Sequence, residues 1–477
     1  MEGIPDSSQQ CSGDGGVSME TYLEKLLSQI RCKKARPFIE EEIRSHIECQ
    51  IEANQLDGMS YEEAEEHAIA DMGDPVSVGI SLDRIHKPRM AWNLVFIVGL
   101  ISMLAVLVHF GILCKINSGL AVPIAPGNYR ETFVNFVVAV VAGFGLMGII
   151  YFIDFTVLAK YAKFIAVSIL AVEVLRLFDF FGGDVNGLRY SIGIGPLSIS
   201  ATALMMFYVP IYGAILYKYR DGGIGAFISV LVWMILPVII TFEMPNIVVT
   251  GMILLSMVIQ LTAAVWKGWF RLPIKRTIAI IWGGFAVLPA ASLIGMYVFG
   301  MLKDYQTERI RAFLAGSGDG FYLTNVLRNI CRDSVVIGKS GVDVIESVPD
   351  FNGDLIFTYI LGSYGILAGV GVIALMVVLV IAVFGTSVRQ KNELGMVMGF
   401  GCGMILALNI VINILSAVGA IPYAASFLPF LSMGRSNILL CYALVGIMLS
   451  IYRYKDVYPK MIHADKITIK KNFTIHI

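Results

Sequence analysis

Charge is scarce in this chain of 477 residues: Asp, Glu, Lys and Arg together make up 15%, against about 25% in a soluble domain. With 57% hydrophobic residues and a mean hydropathy of +0.74, that shortage excludes a disordered chain and an ordinary cytosolic enzyme. It leaves a polytopic membrane protein. Cysteine is sparse as well. Cys11, Cys32, Cys49, Cys114, Cys331, Cys402 and Cys441 are never paired at metal or redox spacing, so no disulfide framework is expected. Zinc-ligand spacing, a haem motif and a catalytic triad are all missing. Gly399, Gly401 and Gly403 lack the Gly-Lys-Ser/Thr context of a nucleotide loop. Met1 is followed by polar sequence rather than an apolar run, so no signal peptide is expected.

Net charge is zero, but it is unevenly divided. Residues 1–90 carry 18 acids against 9 Lys and Arg, a net of −9; residues 91–477 carry 18 against 27, a net of +9. The polar part offers no basic face, so a nucleic-acid partner is not expected. Residues 1–17, rich in Ser, Gly, Gln and Asp, are expected to be disordered. From 18 to 90 the pattern is helical. Tyr22, Leu23, Leu26, Leu27 and Ile30 sit on one face, then Phe38, Ile39, Ile43, Ile47 and Ile51 on another. Ser60 with Glu63 reads as a capping box, and Gly73-Asp74-Pro75 breaks the third helix before a short fourth. The acid runs Glu40 to Glu42 and Glu62 to Glu66 read as solvated faces.

Beyond Arg89 come apolar segments of about 20 residues, the length that crosses a bilayer as a helix. They fall at 92–113, 131–152, 158–178, 196–217, 223–241, 247–265, 277–300, 355–384, 396–418 and 428–451, which makes ten. Lys and Arg concentrate in alternate short loops (Lys160 and Lys163; Lys218 and Arg220; Lys267, Arg271, Lys275 and Arg276; Arg389 and Lys391), which puts those loops and both termini in the cytoplasm. Residues 301–354 then form one long outer loop, and 459–477 a cytoplasmic tail. A connection that long is functional or disordered; its interleaved Tyr, Phe, Val and Ile predict partial folding. Near the third segment's end, Glu173 and Arg176 stand three apart on a helix and are expected to pair.

Specific runs in the membrane body resemble the SEDS family, the FtsW/RodA/SpoVE proteins of bacterial elongation, division and sporulation. The run from Asp304 to Leu314, Gly338-Lys339, and Pro349-Asp350-Phe351-Asn352-Gly353-Asp354-Leu355-Ile356-Phe357 are each similar to the family's loop elements. So are Asn413, Gly419, Pro422, Leu428-Pro429-Phe430 and Ser432 by spacing, and Gly187-Leu188-Arg189-Tyr190 earlier in the chain. The resemblance covers roughly 92–458. Residues 18–90 resemble a helical prefix domain, called HAAS, found ahead of Gram-positive membrane proteins; the likeness rests on the run Gly58 to Ala64 and on Met72-Gly73-Asp74-Pro75. Departures are also visible. Polar family positions align with Ala203, Met206, Gly362 and Ser363, the loop histidine with Asn352, and a family glycine with Arg435.

The resemblance implies an all-α, ten-span protein of the bacterial cytoplasmic membrane that polymerises lipid II as a peptidoglycan glycosyltransferase. A class B penicillin-binding transpeptidase is the implied partner. A sugar hydroxyl is a poor nucleophile at neutral pH, so the chemistry needs a carboxylate as general base. Asp354 is the candidate; by position alone it also reads as a helix N-cap, and the surrounding match tips the reading to catalysis. Asp350 could assist, or join Asp354 in holding Mg or Mn. The diphosphate needs positive charge, for which Arg309 and Lys339 lie in matched motifs. Asn352, Arg189, Asn413 and Ser432 complete the candidate substrate-binding set. Loss of the polar family positions keeps two alternatives open, a non-catalytic scaffold or regulator of the transpeptidase and a lipid-linked precursor transporter.

Overall fold

Inside a bilayer every backbone polar group must be paired within the protein, and the apolar stretches of this chain meet that demand as helices. A computed structural model describes residues 18–120, 128–178, 184–185, 188–189, 191–194, 197–242, 247–300, 307 and 319–459. The described residues divide into two compact units, one formed by residues 18–89 with the stretch from Tyr454, the other by the membrane body from Met90 to Arg453.

Four helices build the first unit: Met19–Ser28, Arg36–Leu56, Tyr61–Met72 and Pro75–Ile85. Ile39, Ile43, Ile47 and Ile51 are the buried stripe of the second, four residues apart. The Ser60 hydroxyl accepts the Glu63 N–H and the Glu63 carboxylate accepts the Ser60 N–H, closing the capping box that starts the third. Asp74 caps the fourth, with Pro75 at its first position. A Cβ at Gly79 would meet the Leu26 carbonyl at 2.6 Å, so glycine lets the first and fourth helices touch. The stretch from Tyr454 packs into this unit. Lys34 lies 4.7 Å over the Tyr454 ring, Tyr458 meets Phe38 edge-on at 5.7 Å, and His86 Nδ1 donates to the Asp456 carbonyl at 2.6 Å.

Among the described residues of the second unit, eight helices are long and apolar enough to cross a membrane: Trp92–Asn117, Tyr129–Phe152, Ala201–Lys218, Ile224–Phe242, Ile247–Trp266, Ile366–Val388, Glu393–Ala417 and Arg435–Arg453. Ile274–Val298, with 25 residues, is also of spanning length. The expected third segment is instead broken near Tyr161 into Phe155–Lys160 and Ala162–Leu177; at 16 residues the latter is shorter than the roughly 20 a perpendicular span needs. The expected fourth begins at Ala201 rather than 196. Ser191–Ile194 and Leu197–Ser200 pair there as an antiparallel hairpin, with Ile192 opposite Ile199. The expected eighth is split at Gly365 into Ile356–Tyr364 and Ile366–Val388.

Ala201–Lys218, Glu393–Ala417 and Arg435–Arg453 form the centre and are mostly buried, whereas Ile224–Phe242, Ile366–Val388 and Tyr129–Phe152 lie at the periphery and are mostly not. Small residues allow the close approach. A Cβ at Gly143 would strike the Tyr442 ring, and one at Gly401 the Gln260 amide. Glu173 and Arg176 do pair, Nε to Oε2 at 2.7 Å, with both side chains buried. On another face, the buried Glu393 carboxylate accepts the Trp269 indole N–H at 3.0 Å and lies 3.6 Å from both Arg220 and Lys267. That contact ties together the ends of Ala201–Lys218, Ile247–Trp266 and Glu393–Ala417.

Candidate functional site

The turn at 349–355 is organised by one carboxylate. Asp350 adopts φ +53°. Its carbonyl accepts the Gly353 N–H at 3.0 Å and the Leu355 N–H at 3.3 Å, and its Oδ2 accepts the Asp354 N–H at 2.8 Å. A Cβ at Gly353 would collide with the Asp350 side chain, so only glycine leaves room for the carboxylate to fold back. The following helix, Ile356–Tyr364, has Leu355 as N-cap and no side-chain cap bond. Asp354 is therefore not the cap, and its carboxylate stays available.

Two further residues hold Asp354 from the neighbouring helix and the stretch after it. Asn413 Nδ2 donates to the Asp354 carbonyl at 2.7 Å and to the Ser426 carbonyl at 2.5 Å. Tyr423 donates its hydroxyl to Asp354 Oδ2 at 3.3 Å. Burial, and then the neighbouring Asp350 charge, push the Asp354 carboxyl up to about 8, with the Tyr423 hydrogen bond opposing them. Burial also raises Asp350, against the Asp354 N–H. A carboxylate whose proton affinity lies near the working pH is suited to general-base work.

The other candidate residues divide into near and far. Asn352 belongs to the same turn: its carbonyl accepts the Met433 N–H at 2.9 Å. Ser432 adjoins that contact, but its buried hydroxyl accepts the Leu428 N–H at 2.7 Å and closes a local turn. Lys339 is exposed and paired with Asp343 at 2.8 Å, which raises its pKa. Arg189 is described by its backbone alone, in Leu188–Arg189, which pairs antiparallel with Asp184–Val185. Arg309 lies outside the described residues, as does Arg311. Arg435 opens the last span and is exposed. Tyr423 was missed in the sequence, although it follows Pro422 in a matched run.

The segment after Ser334 positions Lys339. Ile366 and Leu367 N–H donate to the carbonyls of Val335 and Val336 at 2.9 and 3.0 Å. Gly338 and Ser340 N–H donate to the carbonyls of Tyr364 and Gly362 at 3.2 and 2.8 Å. The loop thus satisfies the backbone groups that the break at Gly365 leaves open. Among the described residues no group of three or more His, Cys, Asp or Glu could hold a metal ion. Asp350 and Asp354 each bring a carboxylate to this turn, the hard oxygen donor type that Mg and Mn take.

The family model for FtsW/RodA/SpoVE, described as cell cycle protein, matches residues 93–457. The chain is 24% identical over 367 residues to a probable peptidoglycan glycosyltransferase FtsW of Saccharophagus degradans, covering 73% of this chain and 90% of the relative. It is 22% identical over 313 residues to the peptidoglycan glycosyltransferase MrdB of Escherichia coli, covering 62% and 79%. A solved structure described as structural coordination of polymerization and crosslinking by a peptidoglycan synthase complex aligns at TM-score 0.59 and 20% identity, covering 76% of this chain and 98% of the other. The Thermus thermophilus rod shape determining protein RodA aligns at TM-score 0.54 and 17% identity, covering 77% and 97%. The family match at 93–457 spans the membrane body, with the Asp350–Asp354 turn and the Asn413 helix inside that range: this chain belongs to the FtsW/RodA/SpoVE family of cell cycle proteins.

Proposed function

We propose that the chain is a SEDS-type peptidoglycan glycosyltransferase that polymerises lipid II at the outer face of the bacterial cytoplasmic membrane. Both termini lie in the cytoplasm, and a class B penicillin-binding transpeptidase is the partner. The observation that carries this reading is the Asp354 carboxylate. It takes no part in capping its helix and is held at the turn by Asn413, Asp350 and Tyr423. In the reaction Asp354 accepts the proton of the acceptor sugar hydroxyl as its oxygen bonds to the donor's anomeric carbon. The bond from that carbon to the diphosphate breaks, and undecaprenyl diphosphate leaves with the electron pair. Asp350 keeps the Asp354 backbone in place. A divalent cation would be held by the Asp350 and Asp354 carboxylates and would neutralise charge on the diphosphate.

A second reading, a scaffold that keeps the fold without the chemistry, draws support from Gly362. A Cβ there would strike the Val344 side chain, so the acid found at this family position has no room. Polymerisation of lipid II by the purified chain, with a transpeptidase partner and Mn²⁺ or Mg²⁺, separates the two. Glycan from wild type and none from Asp354→Ala or Asp354→Asn is the expected result. Equal product from wild type and variants removes Asp354 from the mechanism. No product from any of them, with partner docking intact, favours the scaffold.

A further inference from the structure

Near the Asp354 turn lies a lysine, backed by two tyrosines, that takes no part in the proton transfer. Lys115, in the last turn of the first span, places Nζ 5.3 Å from the Tyr359 ring centroid and 5.8 Å from that of Tyr364. The two rings meet edge-on, 6.0 Å apart. Tyr359 in turn lies 6.4 Å from Phe351 of the Asp350–Asp354 turn, which puts the lysine at the rim of the proposed site. Asp343 and Lys339 are close enough to act on its charge, but Asp343 is already committed. Its Oδ2 holds Lys339 at 2.8 Å and its Oδ1 accepts the Ile345 N–H at 3.0 Å. Among the described residues Lys115 Nζ has the two ring faces and no ion-pair or hydrogen-bond acceptor.

An ammonium carries three donors and no acceptor. Half-buried against two aromatic faces, this one is held in place with its donors open. Its position at the end of a span is where a lysine stem reaches headgroup level. A compact cation at that level matches a lipid phosphate. We propose that Lys115, backed by Tyr359 and Tyr364, anchors the phosphate of a lipid at the rim of the Asp354 site. The two sources are a polyprenyl diphosphate, which rests on the glycosyltransferase reading, and an anionic phospholipid, which does not.

The test uses the full-length chain in a maltoside detergent, which contains no phosphate. Binding of undecaprenyl diphosphate and of phosphatidylglycerol is measured separately for wild type, Lys115→Ala, Lys115→Gln and Lys115→Arg. Loss of a charge-assisted hydrogen bond predicts binding weaker by about tenfold or more in Lys115→Ala and Lys115→Gln, with most of it retained in Lys115→Arg. Weakening toward undecaprenyl diphosphate assigns the subsite to the donor; weakening toward phosphatidylglycerol alone assigns it to a phospholipid. Unchanged binding of both lipids in Lys115→Ala, at an unchanged melting temperature, overturns the proposal. These measurements need no turnover, so a chain inactive in polymerisation would sink the glycosyltransferase reading and leave this one standing or falling by itself.

Discussion

Asp354 illustrates how a single position changes meaning with its neighbours. As an acid ahead of an apolar helix it reads as a cap; in the fold Leu355 takes the cap position and Asp354 faces Tyr423 instead. Its raised pKa has a direct kinetic consequence. A general base works only when ionised, so kcat/KM should rise with pH along an acid limb set by the raised Asp354 pKa. Asp350→Asn removes the second-largest cause of that shift while keeping an acceptor for the Asp354 N–H. The acid limb of the pH–rate profile should then move to lower pH, and an unmoved limb would show that the limb belongs to another group. Asn413→Leu removes the donor to the Asp354 and Ser426 carbonyls. It should destabilise the protein by about 1–3 kcal/mol, and displacing the base by about 1 Å should lower kcat about 10²-fold. Thermal unfolding and steady-state kinetics on one preparation measure both.

At the scale of elements, the junction at Gly365 is where hydropathy misleads. One apolar run covers 355–384, yet Gly365 adopts φ +93° and ends the helix that began at Ile356. The stretch 335–340 then bonds to both sides of the break. A Cβ at Gly365 would stand 2.8 Å from the Val335 and Val336 carbonyls. Gly365→Ala therefore forces a left-handed residue and pushes the loop off its helices, a cost of about 1–3 kcal/mol for the backbone alone. A lowered melting temperature with faster proteolysis between Asp333 and Asp343 is expected; wild-type resistance would show that the splice carries no stability. The hairpin before Ala201 is a comparable case. Leu197–Ser200 falls inside the expected span 196–217, where mean hydropathy hides the period-two alternation that pairs this strand with Ser191–Ile194.

At the scale of the whole molecule, the charge distribution predicts sidedness. With the prefix helices in the cytoplasm and the 301–354 loop outside, an impermeant maleimide applied to intact cells should label a cysteine at 341 and spare Cys49. Gly341 is exposed and open, so Gly341→Cys disturbs nothing, and Cys49 is itself exposed. Single-cysteine variants of each give the comparison, and labelling of Cys49 alone would invert the orientation. The two units also differ in what holds them. The first buries an isoleucine stripe against neighbouring helices, as a soluble bundle does; the second packs by glycine contacts and by buried polar contacts such as Glu393 with Trp269.

Composition and periodicity by themselves determined the membrane class, most of the spans, the Ser60 capping box and the Glu173–Arg176 pair. Each of these is local: a helix is set by its own run of residues, and its i+3 and i+4 neighbours follow from its pitch. The motif at 349–357 marked the candidate turn in advance. Only the tertiary structure decided that Asp354 is not a cap, that Asn413 and Tyr423 hold it, that Ser432 is committed to its own turn and that Lys115 stands on two tyrosine rings. The contacts of Asn413, Tyr423 and Lys115 join residues 59, 69 and more than 200 positions apart. No periodicity in the chain encodes them, because they depend on which helices meet and at what register.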